Sequence, residues 1–300
     1  MGAILNPLYT AVSWVIITFH DLLSFTNNED LQWSIGIIAL VILIRIILIP
    51  LFVKQIKSQR ALTALQPHMK AIQKKHKDDR QKQSEEMMKL YKEHKTNPFA
   101  SCFPILAQAP IFFALFTVLN GISQNKPHGL LKGEYLISAQ QAHFFGAPLS
   151  GTFLGSTDGG TKLIAIALII FMSATTFTTQ RQLMVKGMPK MDSSNNMMLQ
   201  QQKIMLYLFP IIFAVTGVNF PIGVLIYWST TNLWTWGQQY YVIKRNPTPG
   251  SPAYEELQKK KAAKGLLDEK SNDEGGTTIT ENPTDIGGQR KQPKRKKKKR

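Results

Sequence analysis

The sequence predicts an all-α membrane protein in which five transmembrane helices surround a hydrophilic groove, with a cytosolic helical hairpin and an outer interfacial helix. Three observations lead to this prediction. Apolar stretches, several of them long enough to cross a bilayer as a helix, alternate with segments rich in Lys and Arg. The basic segments fall on alternate connections, as the positive-inside rule requires. One charge, Arg45, lies inside the first apolar stretch.

Composition excludes several other classes of protein. The chain has 300 residues and a net charge of +17, and its mean hydropathy of −0.11 averages apolar runs with very basic segments. Anionic lipids and RNA are the two partners that suit such a charge. Cys102 is the only cysteine, which excludes an internal disulfide and a cysteine metal site. No nucleotide-binding loop, nucleophile elbow or pair of catalytic carboxylates is found, so we expect no enzyme and no cofactor.

Residues 1–30 contain an apolar stretch, 8–23, that is short for a transmembrane span and is interrupted by Thr10, Ser13, Thr18 and His20. The segment has no Lys or Arg. An amphipathic helix on the outer membrane surface fits this pattern better than a sixth span.

Residues 31–53 are the predicted first span. Arg45 lies about 12 Å from its end along the helix, too deep for the side chain to reach the surface easily. A charge at that depth costs roughly 2.5–3.5 kcal/mol, and no Asp or Glu lies in any predicted span. Arg45 is therefore either a structural charge held by helix carbonyls or a lipid phosphate, or a functional charge in a wet groove. We favour the groove.

Residues 54–98 carry a net positive charge and consist mainly of good helix formers. Two amphipathic halves flank the turn sequence KHKDDRQ, which predicts a cytosolic helical hairpin bent near Pro67. Such a hairpin is either a plain solvated loop near anionic headgroups or a docking surface for protein chains.

The remaining segments follow in order. They are a second span at 99–124, an external loop at 125–161, a third span at 162–181, a cytosolic loop at 182–203, a fourth span at 204–218, a fifth span at 221–243, and a tail at 244–300. The tail lacks hydrophobic periodicity and ends in KRKKKKR, so we expect disorder and contacts with either ribosomal RNA or lipid. The distribution of Lys and Arg places the N-terminus outside and the C-terminus in the cytosol.

Polar side chains within the spans are candidates for the groove lining. They are Gln108, Ser173, Thr176, Gln180, Tyr227 and Thr231. Individually, each fits an interhelical hydrogen bond. Together with an arginine that has no acidic partner, they favour a hydrophilic groove.

Several motifs resemble the YidC membrane-protein insertase family over about residues 6–241. The first are IRIILIPL around Arg45, LQPHMKAIQKK, and EEMMKLYKEHKTNPFASCFPILAQAPIFFAL. QQKIMLYLFPIIF and NFPIGVLIYWSTTNLWTWGQQ follow at matching spacing. The chain resembles the short form of the family, without a large external domain and without a lipidated cysteine.

This resemblance implies a groove open to the cytosol and to lipid but closed on the outer side. It implies that Arg45 is the groove arginine and that Tyr227 and Trp228 contact substrate. It also implies a bacterial plasma-membrane location, nascent membrane proteins as substrates, and work alone or beside the Sec translocon, with ribosomes approaching the tail. Two other classes stay open: a small-solute transporter, although no inverted repeats are found, and a passive membrane scaffold.

Overall fold

The structure is a computed structural model that describes residues 2–94, 96–97, 103–188 and 197–263. Residues 1–259 form one compact unit, and residues 260–300 form a second, of which only 260–263 are described. Within the described ranges the fold is helical, with one short two-stranded antiparallel sheet. The helices are α1 Gly2–Leu22, α2 Glu29–Ile47, α3 Ile49–Ala64, α4 Gln66–Lys75, α5 Arg80–Glu93, α6 Phe103–Ser123, α7 Glu134–Gln141, α8 Gly159–Gln182, α9 Met197–Gly217, α10 Ile222–Arg245 and α11 Pro252–Ala263, and the strands are β1 His143–Phe144 and β2 Ala147–Pro148.

The first helix buries one face against α2 and α6. Val12, Ile16 and Ile17 supply the apolar contacts on that face. The backbones of α1 and α2 approach closely at Gly36, where a Cβ atom would lie 3.0 Å from the carbonyl oxygen of Ile16. Because a larger residue would push these helices apart, the glycine is a packing requirement here. Asn28 begins α2 by accepting a hydrogen bond from the Leu31 backbone N–H.

The predicted span at 31–53 is not one continuous helix. It divides at Leu48, between α2 and α3. Pro50 explains the division, because proline has no N–H to donate to the carbonyl one turn earlier and its ring crowds that carbonyl. The same chemistry separates α3 from α4, where Pro67 occupies the first turn of α4.

The basic segment contains a helical hairpin built from α4 and α5, which pack against each other. Asp79 caps α5 by accepting a hydrogen bond from the Lys82 backbone N–H. Leu65 and Leu90 are buried, and the Tyr91 hydroxyl lies 3.8 Å from the Met69 sulfur. The apolar stripes predicted from spacing therefore face each other.

The apolar core lies at one end of the helices. It is built from the first halves of α2, α8 and α10, the second half of α6, and α1. The predicted loop at 125–161 also contributes to it, since Leu131, Leu136 and Leu149 are buried. That segment was predicted to be an external loop, and it contains α7 and the β1–β2 hairpin. The opposite end of the helices has fewer buried apolar side chains and more polar ones.

Length and apolar composition identify two helical segments in the described part of the chain that are able to cross a bilayer, Glu29–Ile47 and Gly159–Gly187. The predicted second and fourth spans contain shorter apolar helices, Gln108–Ser123 and Lys203–Gly217. In α10, polar and aromatic residues interrupt the apolar run. The five-span arrangement therefore stays a prediction.

The tail is more ordered at its start than predicted. α10 continues to Arg245, and α11 covers Pro252–Ala263. Pro252 begins α11, and the following AYEELQKKKAA consists mostly of strong helix formers, so local propensity outweighs the lack of hydrophobic periodicity. The predicted disorder of 264–300 lies outside the described residues.

Candidate functional site

Arg45 lies in the last turn of α2, at the polar end of the helices. Its side chain is half-buried, and Nη2 donates a hydrogen bond of 3.2 Å to the Thr235 hydroxyl on α10. The guanidinium carbon lies 5.5 Å from the centre of the Phe52 ring, a cation–π contact supplied by α3. No carboxylate among the described residues forms an ion pair with Arg45. Most of its five N–H donors are therefore available to water or to a bound acceptor.

One stripe of α10 faces Arg45. Tyr227, Thr231 and Thr235 follow one another at a spacing of four residues and so share a helix face. Tyr227 is buried and lies within electrostatic range of Arg45. Sequence reasoning selected Tyr227 and Thr231 but missed Thr235, the residue that hydrogen-bonds Arg45. The same four-residue spacing, continued by one turn, was the signal for it.

Several buried polar atoms near this end have no hydrogen-bond partner among the described residues. They include Gln108 Oε1 and Gln182 Oε1. Buried polar atoms in proteins are normally paired with protein or with ordered water. These two oxygens are therefore able to accept hydrogen bonds from water.

The polar stripe of α8 forms hydrogen bonds with neighbouring helices, and its place in the groove lining stays a prediction. Ser173 donates a hydrogen bond to the carbonyl oxygen of Pro210 on α9, at 3.2 Å. Thr176 donates to the carbonyl of Met172 and accepts from Asn232 on α10. These two hydroxyls join α8 to its neighbours, which was the other interpretation of such residues. Gln180 is half-buried on the same helix, and its role as a groove residue stays a prediction.

An aromatic cluster lies beside the polar region, toward the apolar core. The Trp228 ring lies 5.8 Å from Phe112 on α6, 5.4 Å from Phe213 on α9, and 5.0 Å from Phe220 before α10, measured between ring centres. Trp228 is thus packed between helices and is half-buried. This cluster separates the polar end of the helices from the apolar core.

The helices around the polar region do not form a closed ring. α8 packs against α9 and α10, α10 packs against α2, and α6 packs against α1, α3 and α10. In the described part of the chain, α6 and α9 share no extensive packing. Trp228 contacts both helices through the rings of Phe112 on α6 and Phe213 on α9.

A second polar cluster ties the N-terminal helices to α7, at the core end. The two ring nitrogens of the buried His20 lie 2.9 Å from Asp21 and 3.1 Å from Glu29. Ser138 links this cluster to α7 by hydrogen-bonding Glu29 and accepting a bond of 2.8 Å from the Trp33 indole. In the described ranges, no three His, Cys, Asp or Glu side chains are placed to hold a metal ion. The cluster therefore holds α1, α2 and α7 together.

Comparisons with known proteins agree with the resemblance found in the sequence. The family profile described as 60Kd inner membrane protein matches residues 24–249. A protein of Streptomyces avermitilis named membrane protein insertase YidC is 54% identical over 253 residues, covering 81% of this chain and 59% of that protein. A Tropheryma whipplei protein of the same name is 35% identical and covers 84% of this chain and 87% of the relative. The chain therefore spans under two thirds of the first relative's length and most of the second's.

A solved structure was also found. It is described as an active YidC insertase with the first transmembrane domain resolved, and it is 28% identical with a TM-score of 0.45 over 77% of this chain and 46% of that chain. The family assignment rests on the sequence comparisons. Because the family profile covers most of this chain and a relative at 35% identity is matched over most of both lengths, the chain belongs to the 60Kd inner membrane protein family, which includes the YidC membrane protein insertases.

Proposed function

We propose that this chain is a membrane-protein insertase. It receives a segment of a nascent membrane protein at the polar region around Arg45 and releases the apolar part of that segment sideways into lipid. The observation that carries this proposal is the half-buried Arg45, whose only described hydrogen bond goes to a neutral hydroxyl. Such a cation attracts an acidic or polar group on a passing chain, because an uncompensated charge in a low-dielectric site exerts a strong field.

The polar atoms near Arg45 support the first step. Gln108 carries a buried oxygen without a partner among the described residues, and Thr231 shares a face of α10 with Thr235. A polar stretch of substrate is able to exchange hydrogen bonds with these atoms and with water, so it loses less hydration than it would in hydrocarbon. The polar region thus shortens the apolar distance that the hydrophilic flanks of a substrate must cross.

The lack of extensive packing between α6 and α9 in the described part of the chain supports the second step. The outer surface of α9 is exposed and apolar at Ile204, Ile211 and Val215. An apolar substrate segment that leaves past this surface gains about 0.8 kcal/mol for each CH₂ group buried in lipid. Transfer into lipid supplies the driving force, and the step needs neither nucleotide hydrolysis nor a cofactor.

The proposal includes an orientation and partners. The chain lies in a bacterial plasma membrane as a multi-pass protein, with α1 at the outer surface and the α4–α5 hairpin and tail in the cytosol. The basic hairpin and tail suit contacts with anionic lipids, and the tail also suits ribosomal RNA. Work beside the Sec translocon belongs to the same proposal, since a sideways exit into lipid serves chains arriving from a channel.

Site-specific crosslinking during synthesis tests the proposal. A photoreactive residue at Thr231 should crosslink to a single-span substrate that is stalled during translation. The matched control is a probe at Leu163, which is exposed on the core half of α8. We expect strong crosslinks from position 231 and weak ones from 163. Equal crosslinking from the two positions would show that the substrate does not enter the polar region.

A further inference from the structure

A cavity of about 840 Å³ lies between α10 and the α2–α3 pair. Arg45 and Thr235 do not line it. Its wall on α2 and α3 includes Ile38, Ile42, Ile49 and Val53, and its wall on α10 includes Leu233 and Tyr241. We call it the α2–α10 cleft. Several of these side chains are well exposed, with Tyr241 at 62% and Leu233 at 50%, so the cleft is an open apolar surface.

The shape of the cleft limits what is able to fill it. Its lining extends along α10 from Thr230 to Asn246, about 24 Å at 1.5 Å per residue. A groove of this length with a mostly apolar lining matches an extended acyl chain lying parallel to α10.

One end of the cleft is basic. Lys54 follows the lining residue Val53, and Lys244 and Arg245 lie between the lining residues Val242 and Asn246. All three basic side chains are exposed. Among the described residues, no carboxylate forms an ion pair with them. None of the three is part of the lining itself, and Lys244 Nζ lies 5.6 Å from the centre of the Tyr240 ring. The other end of the cleft, at Ile38 and Thr230, lies near the middle of α2 and α10.

We propose that the α2–α10 cleft binds an anionic phospholipid. Its acyl chains lie along Ile42, Ile49 and Leu233, and its phosphate is held by Lys54, Lys244 and Arg245. The three basic residues lie at one end of the apolar cleft, and the negative head group of a phospholipid likewise lies at one end of its acyl chains. The site and the lipid are therefore complementary in charge and in polarity. This site is separate from the substrate region. It rests on the proposed function only for its orientation, which places the bound lipid in the cytosolic leaflet.

A cavity-filling variant tests the acyl part of the site. Gly237 lines the cleft, and a Cβ atom placed there meets nothing within 4 Å. Gly237→Phe should therefore fill the cleft without a clash, whereas the matched control Gly237→Ala leaves it open. The full chain is purified in detergent with equal phosphatidylglycerol and phosphatidylcholine, and bound lipid is counted by native mass spectrometry. We expect wild type and Gly237→Ala to retain phosphatidylglycerol and Gly237→Phe to lose it several-fold, with melting temperatures confirming that all three are folded.

A charge variant tests the head-group part of the site. The triple change Lys54→Gln, Lys244→Gln and Arg245→Gln should lower the preference for phosphatidylglycerol by about fivefold per removed cation. A control removes the same charge by Lys126→Gln, Lys132→Gln and Lys162→Gln, outside the cleft lining, and should leave the preference unchanged.

Three results would overturn the proposal. They are retention of lipid by a folded Gly237→Phe variant, an equal loss of preference in the two charge variants, and loss of a dimer rather than of lipid on filling the cleft. The last result would make this face a contact between two copies of the chain. None of these readouts requires insertion activity, so failure of this proposal and failure of the proposed function are distinguishable.

Discussion

The Arg45 guanidinium on α2 donates a hydrogen bond to the Thr235 hydroxyl on α10, and the two atoms lie 3.2 Å apart. Thr235 in turn donates to the carbonyl oxygen of Thr231, one turn earlier in the same helix. The cation is thereby held at a fixed place beside the polar stripe of α10 without being neutralised. This arrangement positions the charge and leaves it without a carboxylate partner among the described residues.

Thr235→Val should weaken insertion by a few-fold while leaving the protein folded. Valine keeps the shape of threonine but removes the acceptor for Arg45, a bond to a charged group that contributes roughly 1.5–3 kcal/mol when buried and less at a half-buried site. Thr230→Val is the matched control, because the Thr230 hydroxyl bonds only its own helix, at the Ile226 carbonyl. Insertion of a reporter substrate, measured by protease protection, should fall only for Thr235→Val, and an equal fall in both variants would remove the positioning role.

Ser138→Ala should destabilise the protein by about 1–2 kcal/mol, because it leaves the Trp33 indole N–H without its acceptor in a fully buried position. Thermal unfolding checks the value. A double-mutant cycle with Trp33→Phe separates the lost bond from the lost volume. If the Ser138 and Trp33 changes are additive in free energy of unfolding, the hydrogen bond does not hold α7 to α2.

Trp228→Ala should lower the free energy of unfolding by about 2–4 kcal/mol, since the half-buried ring contacts Phe112, Phe213 and Phe220. Trp228→Phe should keep most of the stability. Trp14→Ala, at a tryptophan that is 58% exposed, should change stability by no more than about 0.5 kcal/mol. Comparable losses for the two alanine variants would argue against a packing role for Trp228.

Asp158 should contribute stability that depends on pH. Its carboxylate accepts hydrogen bonds from the backbone N–H and hydroxyl of Thr161, and these bonds lower the pKa of Asp158. A carboxyl group whose pKa is lower in the folded state stabilises the fold at pH values above its unfolded pKa, which is about 3.9 for Asp. It loses that contribution as the pH falls through the folded pKa. Asp158→Ala should therefore lower the melting temperature at pH 7 and make less difference in strong acid. A melting-temperature difference between wild type and Asp158→Ala that stays constant with pH would contradict this role of Asp158.

Much of the helical organisation could be predicted from sequence, because apolar run length and Lys and Arg placement are local properties. The resemblance to the insertase family was likewise confirmed by the comparisons. The break at Leu48 was missed although Pro50 carries the signal, since apolar length alone was counted. Helix α11 was missed because a short helix without an apolar stripe is recognised only from propensity.

The candidate site was less predictable than the helices. Arg45 stands out because a charge in an apolar run is costly, so sequence alone identifies it. Thr235 was missed since a threonine in a polar stretch has no such cost. Ser173 and Thr176 suited both a groove lining and an interhelical hydrogen bond, because a hydroxyl that bonds a neighbouring helix looks the same in sequence as one that lines a groove. Which of the two occurs depends on tertiary contacts to Pro210 and Asn232.

The proposed mechanism depends on attraction between the charge of Arg45 and acidic substrate segments. Arg45→Lys keeps the charge but loses the planar fork of donors, and Arg45→Ala loses both. Both variants should still fold, because an unpaired, partly buried cation adds little stability.

The most direct measurement is protease-protected insertion of one substrate, with either an acidic or a neutralised translocated segment, in each of the three backgrounds. We predict that Arg45→Lys retains much activity and that Arg45→Ala loses insertion of the acidic version, while the neutralised version depends little on residue 45. Equal losses for the acidic and neutralised versions in Arg45→Ala would contradict charge attraction, and would assign Arg45 to holding the polar region open through its hydration and hydrogen bonds.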